Sequence, residues 1–251
     1  MKIAIISDIH GNWEALQAVL NDIRTRGIDT IYCLGDIVGY GPDPELCLEA
    51  VRKNCSIIIK GNHEEALLRS PVGFHTIAKN AIQWTKARIL NPWRHPFRYL
   101  RYWTFLKSLP EKAEGENCFL VHGSPRNPTE EYLLDRLLLL AEEEALAELF
   151  DFPSSVCFCG HTHVPCVFSE TRLLSPAGAD GQTVPLEDQK LIINVGSVGQ
   201  PRDRDPRACY VEYSAGSVTF HRVNYDIEAT RAKIRSRGLD DSLAERLAFG
   251  L

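Results

Sequence analysis

Five short apolar runs along the chain each break off into a polar cluster. KIAIIS leads into DIHGN at 8–12, TIYCL into GDIVGY at 35–40, SIIIK into GNHEE at 61–65, NCFLV into VHGS at 121–124 and SVCFC into CGHTHV at 159–164. Apolar runs of this length, without polar alternation, read as strands covered on both faces. Between the first runs the spacing changes to that of a helix. Leu16, Val19, Leu20 and Ile23 predict a helix over roughly 12–26, closed by Gly27, and a second is expected near 43–53 with Pro44 in its first turn. This βαβαβ order predicts parallel strands with right-handed crossovers.

Residues 63–110 hold no convincing strand but many aromatics, which predicts a helical insertion (about 64–110) broken near Asn91-Pro92. Strands return at 117–122 and 155–159, with helical material over roughly 130–150 between them. The runs LIINV, ACYVEY and SVTFHRV predict antiparallel pairing in a second sheet, and the tail from Asp226 reads as one or two short amphipathic helices. The expected fold class is α/β, a single domain over 1–251. Two packed mixed sheets flanked by helices form a four-layer αββα sandwich, with the helical insertion as a cap.

Composition narrows the setting. With 251 residues the chain can bury a substantial core, and a net charge of -5 gives no global reason to bind nucleic acid or an anionic membrane. Of eight cysteines, Cys33, Cys118, Cys157 and Cys159 lie inside apolar runs, where a thiol acts as a small hydrophobe. The opening MKIAIISDIH lacks the form of a secretory leader, so a reducing, cytoplasmic compartment is expected. No apolar run reaches the ~18–20 residues that span a bilayer. LLDRLLLLAEEEALAELF comes nearest and is interrupted by Asp135, Arg136 and the acids that follow.

The chemistry sits in the five clusters. Asp8, His10, Asp36, Asn62, His63, His122, His161 and His163 are oxygen and imidazole donors, and all follow directly on strands. Side chains at strand ends project from a rigid sheet edge into one crevice. Donors of this type suit manganese, iron, zinc, cobalt or nickel. They are too many for one ion, which takes about four to six, and fit a carboxylate-bridged pair with about seven protein ligands.

The ordered set DIHG, GDIVGYG, GNHE, VHG and GHTH resembles the calcineurin-like metallophosphoesterase superfamily. The likeness covers nearly the whole chain outside the aromatic insertion. GHTH and INVGSVGQPRD are more similar to the small bacterial and archaeal phosphodiesterase branch than to the protein phosphatases. The resemblance implies two divalent transition metals, manganese first among them. Asp8, His10 and His163 would bind one, Asn62, His122 and His161 the other, and Asp36 would bridge. It also implies that a metal-bridging hydroxide attacks phosphorus while Asn62 and His63 contact the phosphate and His63 helps protonate the leaving oxygen. One departure stands out. The protein phosphatases read GDxxDRG at the second cluster, and the later Asp and Arg are Gly39 and Tyr40 here. Without the partner of the catalytic histidine or the phosphate-holding arginine, a phosphodiesterase acting on a small phosphate ester or nucleotide is favoured. The alternatives are a phosphomonoesterase or phosphoprotein phosphatase, and a non-catalytic scaffold of the same fold. A homo-oligomer is compatible with the sequence.

Other features carry less. Cys157 and Cys159 alternate onto one face of a strand with no second cysteine pair at zinc-finger spacing, which predicts core packing. NVGSVGQPRDRDPRA offers backbone amides and arginines to a phosphate, Arg202 first because it lies nearest the glycines. WRHPFRYLRYW predicts an amphipathic helix with Arg94, Arg98 and Arg101 solvated and Phe97, Leu100 and Trp103 inward. His75, His95 and His221 lie outside every cluster and are not expected to be ligands.

Overall fold

A computed structural model of the protein describes every residue except 72, 94–95, 134–142, 171–173, 177, 187–188 and 215, and for 174–176 the backbone alone. The first sheet begins with β1 (Lys2–Ile6), β2 (Thr30–Cys33) and β3 (Ile57–Ile58), which pair in parallel. They are linked by α1 (Trp13–Thr25) and α2 (Pro44–Asn54), so the βαβαβ expectation holds. Asn12 caps α1 by accepting from the Ala15 amide at 3.2 Å, and Pro44 opens α2.

Three helices follow: α3 (Asn62–Leu68), α4 (Thr76–Ile89) and α5 (Pro96–Ser108). The break between α4 and α5 falls at the expected Asn91-Pro92. In α5 the expected orientation is overturned. Phe97 and Leu100 are exposed, 89% and 60%, while Tyr102 and Leu106 are buried and Trp103 is half-buried against the core. Arg98 and Arg101 do not simply face solvent; they pair with Glu45 and Glu49 of α2. Charge complementarity to α2 fixes the rotation of α5 about its axis. Arg94 and His95 lie outside the described residues.

The second sheet collects β4 (Lys112–Gly115), β5 (Cys118–Val121), β6 (Val156–Cys159), β7 (Cys166–Ser169), β8 (Leu174–Pro176) and β10 (Leu191–Asn194) in the order β4-β5-β6-β10-β7-β8. β9 (Thr183–Pro185), β11 (Ala208–Ser214) and β12 (Ser217–Val223) complete the first sheet as β3-β2-β1-β11-β12-β9. The expectation that LIINV, ACYVEY and SVTFHRV share a second sheet is therefore corrected. LIIN pairs with β6, whereas ACYVEY runs antiparallel to β1 and SVTFHRV to ACYVEY. Hydrophobic pattern gives strand existence but not partner choice. Within the predicted helical stretch of 130–150, α6 (Glu143–Leu149) is present, and 134–142 lies outside the described residues. The tail forms α7 (Ile227–Ser236) and α8 (Asp241–Leu247), as expected.

Side-chain alternation explains the layers. On β1, Ala4 and Ile6 pack with Leu16, Val19 and Leu48 of α1 and α2, while Ile3 and Ile5 meet Leu120, Phe158 and Ile193 of the other sheet. On β6, Val156 and Phe158 face the inter-sheet core, and Cys157 and Cys159 face Leu146 and Leu149 of α6. The arrangement is a four-layer α/β/β/α sandwich of two mixed sheets. All eight cysteines are free thiols, and Cys157 and Cys159 serve as packing residues. Among the described residues no helix is long and apolar enough to cross a membrane.

Candidate metal centre

The C-terminal ends of β1, β2, β3, β5 and β6 deliver all eight candidate residues to one place, where the two sheets meet at a shared edge. Asp8, His10 and His163 form one cluster of ligand atoms, and Asp36, His122 and His161 another, each within 4.8 Å. His163 Nε2 lies 3.2 Å from Asp8 Oδ1, and His10 Nε2 3.7 Å from the same oxygen. Asp36 Oδ2 sits between the clusters, 3.6 Å from His10 Nε2 and 3.4 Å from His122 Nε2. Asn62 Oδ1 is 3.2 Å from His122 Nε2.

The backbone is bent to achieve this. Asp8, His10, Asp36, His161 and His163 all occupy the left-handed region, with φ between 50° and 67°. Residues with a Cβ reach that region at a cost of about 1–2 kcal/mol each. Five such residues around one cluster therefore mark a conformation imposed by surrounding contacts.

The hydrogen bonds made by the outer ring nitrogens decide what the site can hold. His10 Nδ1 donates to Val38 O at 3.2 Å, His122 Nδ1 to Leu34 O at 3.0 Å, His163 Nδ1 to Gln200 O at 2.5 Å and His161 Nε2 to Glu130 O at 3.2 Å. A carbonyl can only accept, so each neutral ring carries its proton outward and turns a bare lone pair inward. These lone pairs then face one another: His10 Nε2 and His163 Nε2 at 3.2 Å, His122 Nε2 and His161 Nδ1 at 3.1 Å. Asp8 Oδ1 is also buried there without a hydrogen bond. Such an arrangement is repulsive without intervening positive charge, and the donor set suits divalent transition metals.

Charge regulation fits the same picture. Burial, followed by the charge of His122, pushes His161 down to about 3, and burial followed by Arg202 pushes His163 down to about 4. His122 goes the other way: burial opposes its charge, but the Asp36 carboxylate raises it to about 9. Asp36 itself, despite burial, is held low by His122. A metal pair would displace the proton shared by Asp36 and His122.

His63 stands beside the cluster, with Nε2 4.0 Å from Asp36 Oδ2. Its Nδ1 is buried without a partner. A Cβ at residue 39 would come within 2.1 Å of that nitrogen, so Gly39 lets the imidazole lie against the backbone. Tyr40 packs on His63 and on His10, with ring centroids 4.7 Å apart in both cases. Burial holds His63 well below the usual imidazole range, so it is neutral. His75 caps α4 and His221 pairs with Glu212, both away from the ligand clusters.

Several positioning residues escaped the sequence reading. Glu64 is fully buried and accepts from the amides of Asp36, Ile37 and Gly61 at 2.8, 2.8 and 2.9 Å and of Val38 at 3.3 Å. It locks the Asp36 turn onto the start of α3. Burial and then the Asp36 charge push it up to about 7, with the backbone amides pulling downward. The signal was present, since Glu64 holds the third helical position after Gly61, where a glutamate reaches back to the cap amide. The loop after β10 grips the Asp8 turn: Ser197 Oγ donates to Asp8 O at 2.8 Å, and the Val198 and Gly199 amides donate to Ser7 O and Asp8 O. From the other side α7 holds Asp43, through Lys233 at 2.7 Å and Arg237 at 3.0 Å.

A cavity of about 340 Å³ opens onto the cluster, lined among others by Asp36, Tyr40, Asn62, His63, Tyr132, His161, His163 and Arg202. Arg202 thus reaches the site from the loop that the sequence singled out.

With this geometry in view, the relatives agree. A metallophosphoesterase from Sphaerobacter thermophilus is 38% identical, superposes with a TM-score of 0.85 and is covered completely, as is this chain. An uncharacterized protein of Methanocaldococcus jannaschii is 38% identical over 257 residues, 99% of this chain and 98% of its own. A shorter stretch of 71 residues, 27% of this chain, is 37% identical to 26% of the symmetrical bis(5'-nucleosyl)-tetraphosphatase of Erwinia tasmaniensis. The profile of the calcineurin-like phosphoesterase superfamily domain matches residues 1–216, and the chain belongs to that superfamily.

Proposed function

We propose that this metallophosphoesterase is a phosphodiesterase acting on a small phosphate ester or nucleotide through a two-metal centre. Asp8, His10 and His163 would hold one ion, Asn62, His122 and His161 the other, and Asp36 would bridge them. Manganese is the first expectation, with iron, cobalt, nickel or zinc as alternatives. The bound pair would supply Lewis-acid charge on the phosphoryl oxygens and acidify the attacking water.

The residues of the chain do the rest. Asp36 keeps the two positive charges together, and neutral Asn62 leaves the centre net positive toward an anionic ester. Asn62 and His63, both on the cavity wall, contact the phosphate, and Arg202 approaches it from the opposite side. The observation that carries the diester preference is the unpartnered Nδ1 of His63. With Gly39 and Tyr40 in the second cluster, no carboxylate orients or charges the imidazole. A neutral, unassisted histidine is a weak proton donor, which suits esters whose leaving group departs without full protonation. The free thiols fit a reducing, cytoplasmic setting.

The test is turnover of bis(p-nitrophenyl) phosphate against p-nitrophenyl phosphate by apo-protein titrated with manganese, cobalt, nickel, zinc and magnesium. Faster diester hydrolysis with manganese or cobalt is expected. A clear monoester preference would turn the reading to a phosphomonoesterase, and no turnover with any metal would turn it to a scaffold.

A further inference from the structure

Two arginines beside the centre have no carboxylate partner. Arg202 is tied by its amide to His163 O at 3.3 Å, so its guanidinium is placed one residue layer from the ligand cluster. Its polar contacts are neutral: Gln200 Oε1 at 2.9 Å and the Tyr132 phenol. Its Nε is shielded from solvent with no partner at all, and its Cζ lies 6.0 Å from the Tyr40 ring centroid, on the cavity wall.

Arg246 approaches from the tail. It is half-buried on α8 between Leu243 and Leu247, which pack in one apolar cluster with Tyr40. The other arginines of α7 and α8 are neutralised: Arg231 by Glu228 and Glu245, Arg235 by Asp241 and Glu245. Among the described residues Arg246 has no such partner. Burial, and after it the charge of Arg202, holds Arg246 below the usual guanidinium range, so each arginine sits in the field of the other. Two partly desolvated like charges on one tyrosine are unfavourable alone and favourable around an oxyanion.

We propose that Arg202 and Arg246, laid on the Tyr40 platform, form a second oxyanion subsite, so that the favoured substrate carries a second phosphoryl group next to the scissile one: a diphosphate or polyphosphate ester. The inference rests on the two-metal phosphoesterase reading and adds the substrate class to it. The matched superfamily profile ends at residue 216, so Arg246 is a feature of the tail. Tyr40, which replaces the phosphate-holding arginine of the protein phosphatases, would carry the replacement guanidinium on its face instead.

The experiment uses the full chain at saturating free manganese, with hydrolysis of bis(p-nitrophenyl) phosphate as the readout. Inorganic phosphate, imidodiphosphate and phosphonoacetate are compared as competitive inhibitors. The wild type is expected to prefer imidodiphosphate over phosphate by about tenfold or more, as paired charged hydrogen bonds would give. Arg246→Gln should reduce that preference severalfold, and Arg246→Lys should retain part of it. Metal chelation by the inhibitor affects every variant alike and cancels in the comparison. An unchanged preference in Arg246→Gln with wild-type thermal unfolding overturns the subsite. Phosphonoacetate binding as tightly as imidodiphosphate overturns the phosphoryl assignment in favour of a carboxylate. Should Arg246→Gln fail to fold, Arg246→Lys and Arg202→Lys decide, since neither lysine can reproduce the planar fork and an unaltered preference in both overturns the proposal. Absence of metal-dependent turnover in the wild type, seen before any inhibitor is added, would instead count against the underlying reading.

Discussion

The two halves of the metal centre are built differently. Asp8, His10 and His163 are sealed, at 0%, 1% and 2% exposure. The β10 loop grips them on one side, and α7 braces the neighbouring α2 cap on the other. In the second half His122 is equally buried, but Asn62 is half-exposed and both Asn62 and His161 line the cavity. His161 is backed by Tyr132, with ring centroids 3.8 Å apart, on a segment whose ring is 42% exposed. The difference teaches that rigidity and access are divided between the sheets. The first sheet and the tail hold one ion site shut, and the second sheet presents the other to substrate.

If that division is right, substitutions in the two halves separate. Asp8→Ala, which empties the sealed half, should lower diester turnover by at least about a thousandfold in steady-state assays. Asn62→Ala should cost less, about a hundredfold, and leave one ion resistant to brief chelation. Equal retention of ions in both variants would break the comparison. Removing the bond between the halves comes next. Glu64→Gln leaves one acceptor where four amides converged, so urea unfolding should show a loss of about 3 kcal/mol, together with weaker metal binding. A variant as stable as the wild type would mean that the Asp36 turn holds its shape unaided.

His63 sharpens the chemical side. His63→Asn should slow a diester with an alkyl leaving group about a hundredfold but a nitrophenyl diester only severalfold, because only the former needs protonation. Equal losses would reassign His63 to phosphate binding alone. The smallest effect is expected on α5. Leu100→Glu should change stability by less than about 0.5 kcal/mol in thermal unfolding, since Leu100 is 60% exposed.

Much of the fold was legible because the apolar runs before Asp8, Asp36, Asn62, His122 and His161 are covered on both faces and read as strands. The helices over 12–26 and 43–53 follow from periodicity and Pro44. Sheet membership was not legible: nothing in ACYVEY says that it pairs with β1 rather than β10, because partner choice depends on long-range packing. β4, with the sequence KAEG, lacks an apolar pattern since it is a half-exposed edge strand. The orientation of α5 was misread because Arg98 and Arg101 find glutamates on α2, a contact that spacing alone does not reveal. At the site, residue types and strand-end placement brought the candidate ligands into view. The supporting shell stayed hidden, since Ser197, Gln200 and Arg246 act across separations of more than thirty residues from the groups they serve.

The account turns on Asp36 as the bridge between two ions. The direct measurement is the metal content of protein reconstituted with manganese, freed of excess metal and analysed by mass spectrometry, for the wild type and Asp36→Ala. The account predicts two ions per chain in the wild type and fewer than one in the variant, with turnover lost in parallel. A single ion in the wild type, or two retained without Asp36, would contradict it.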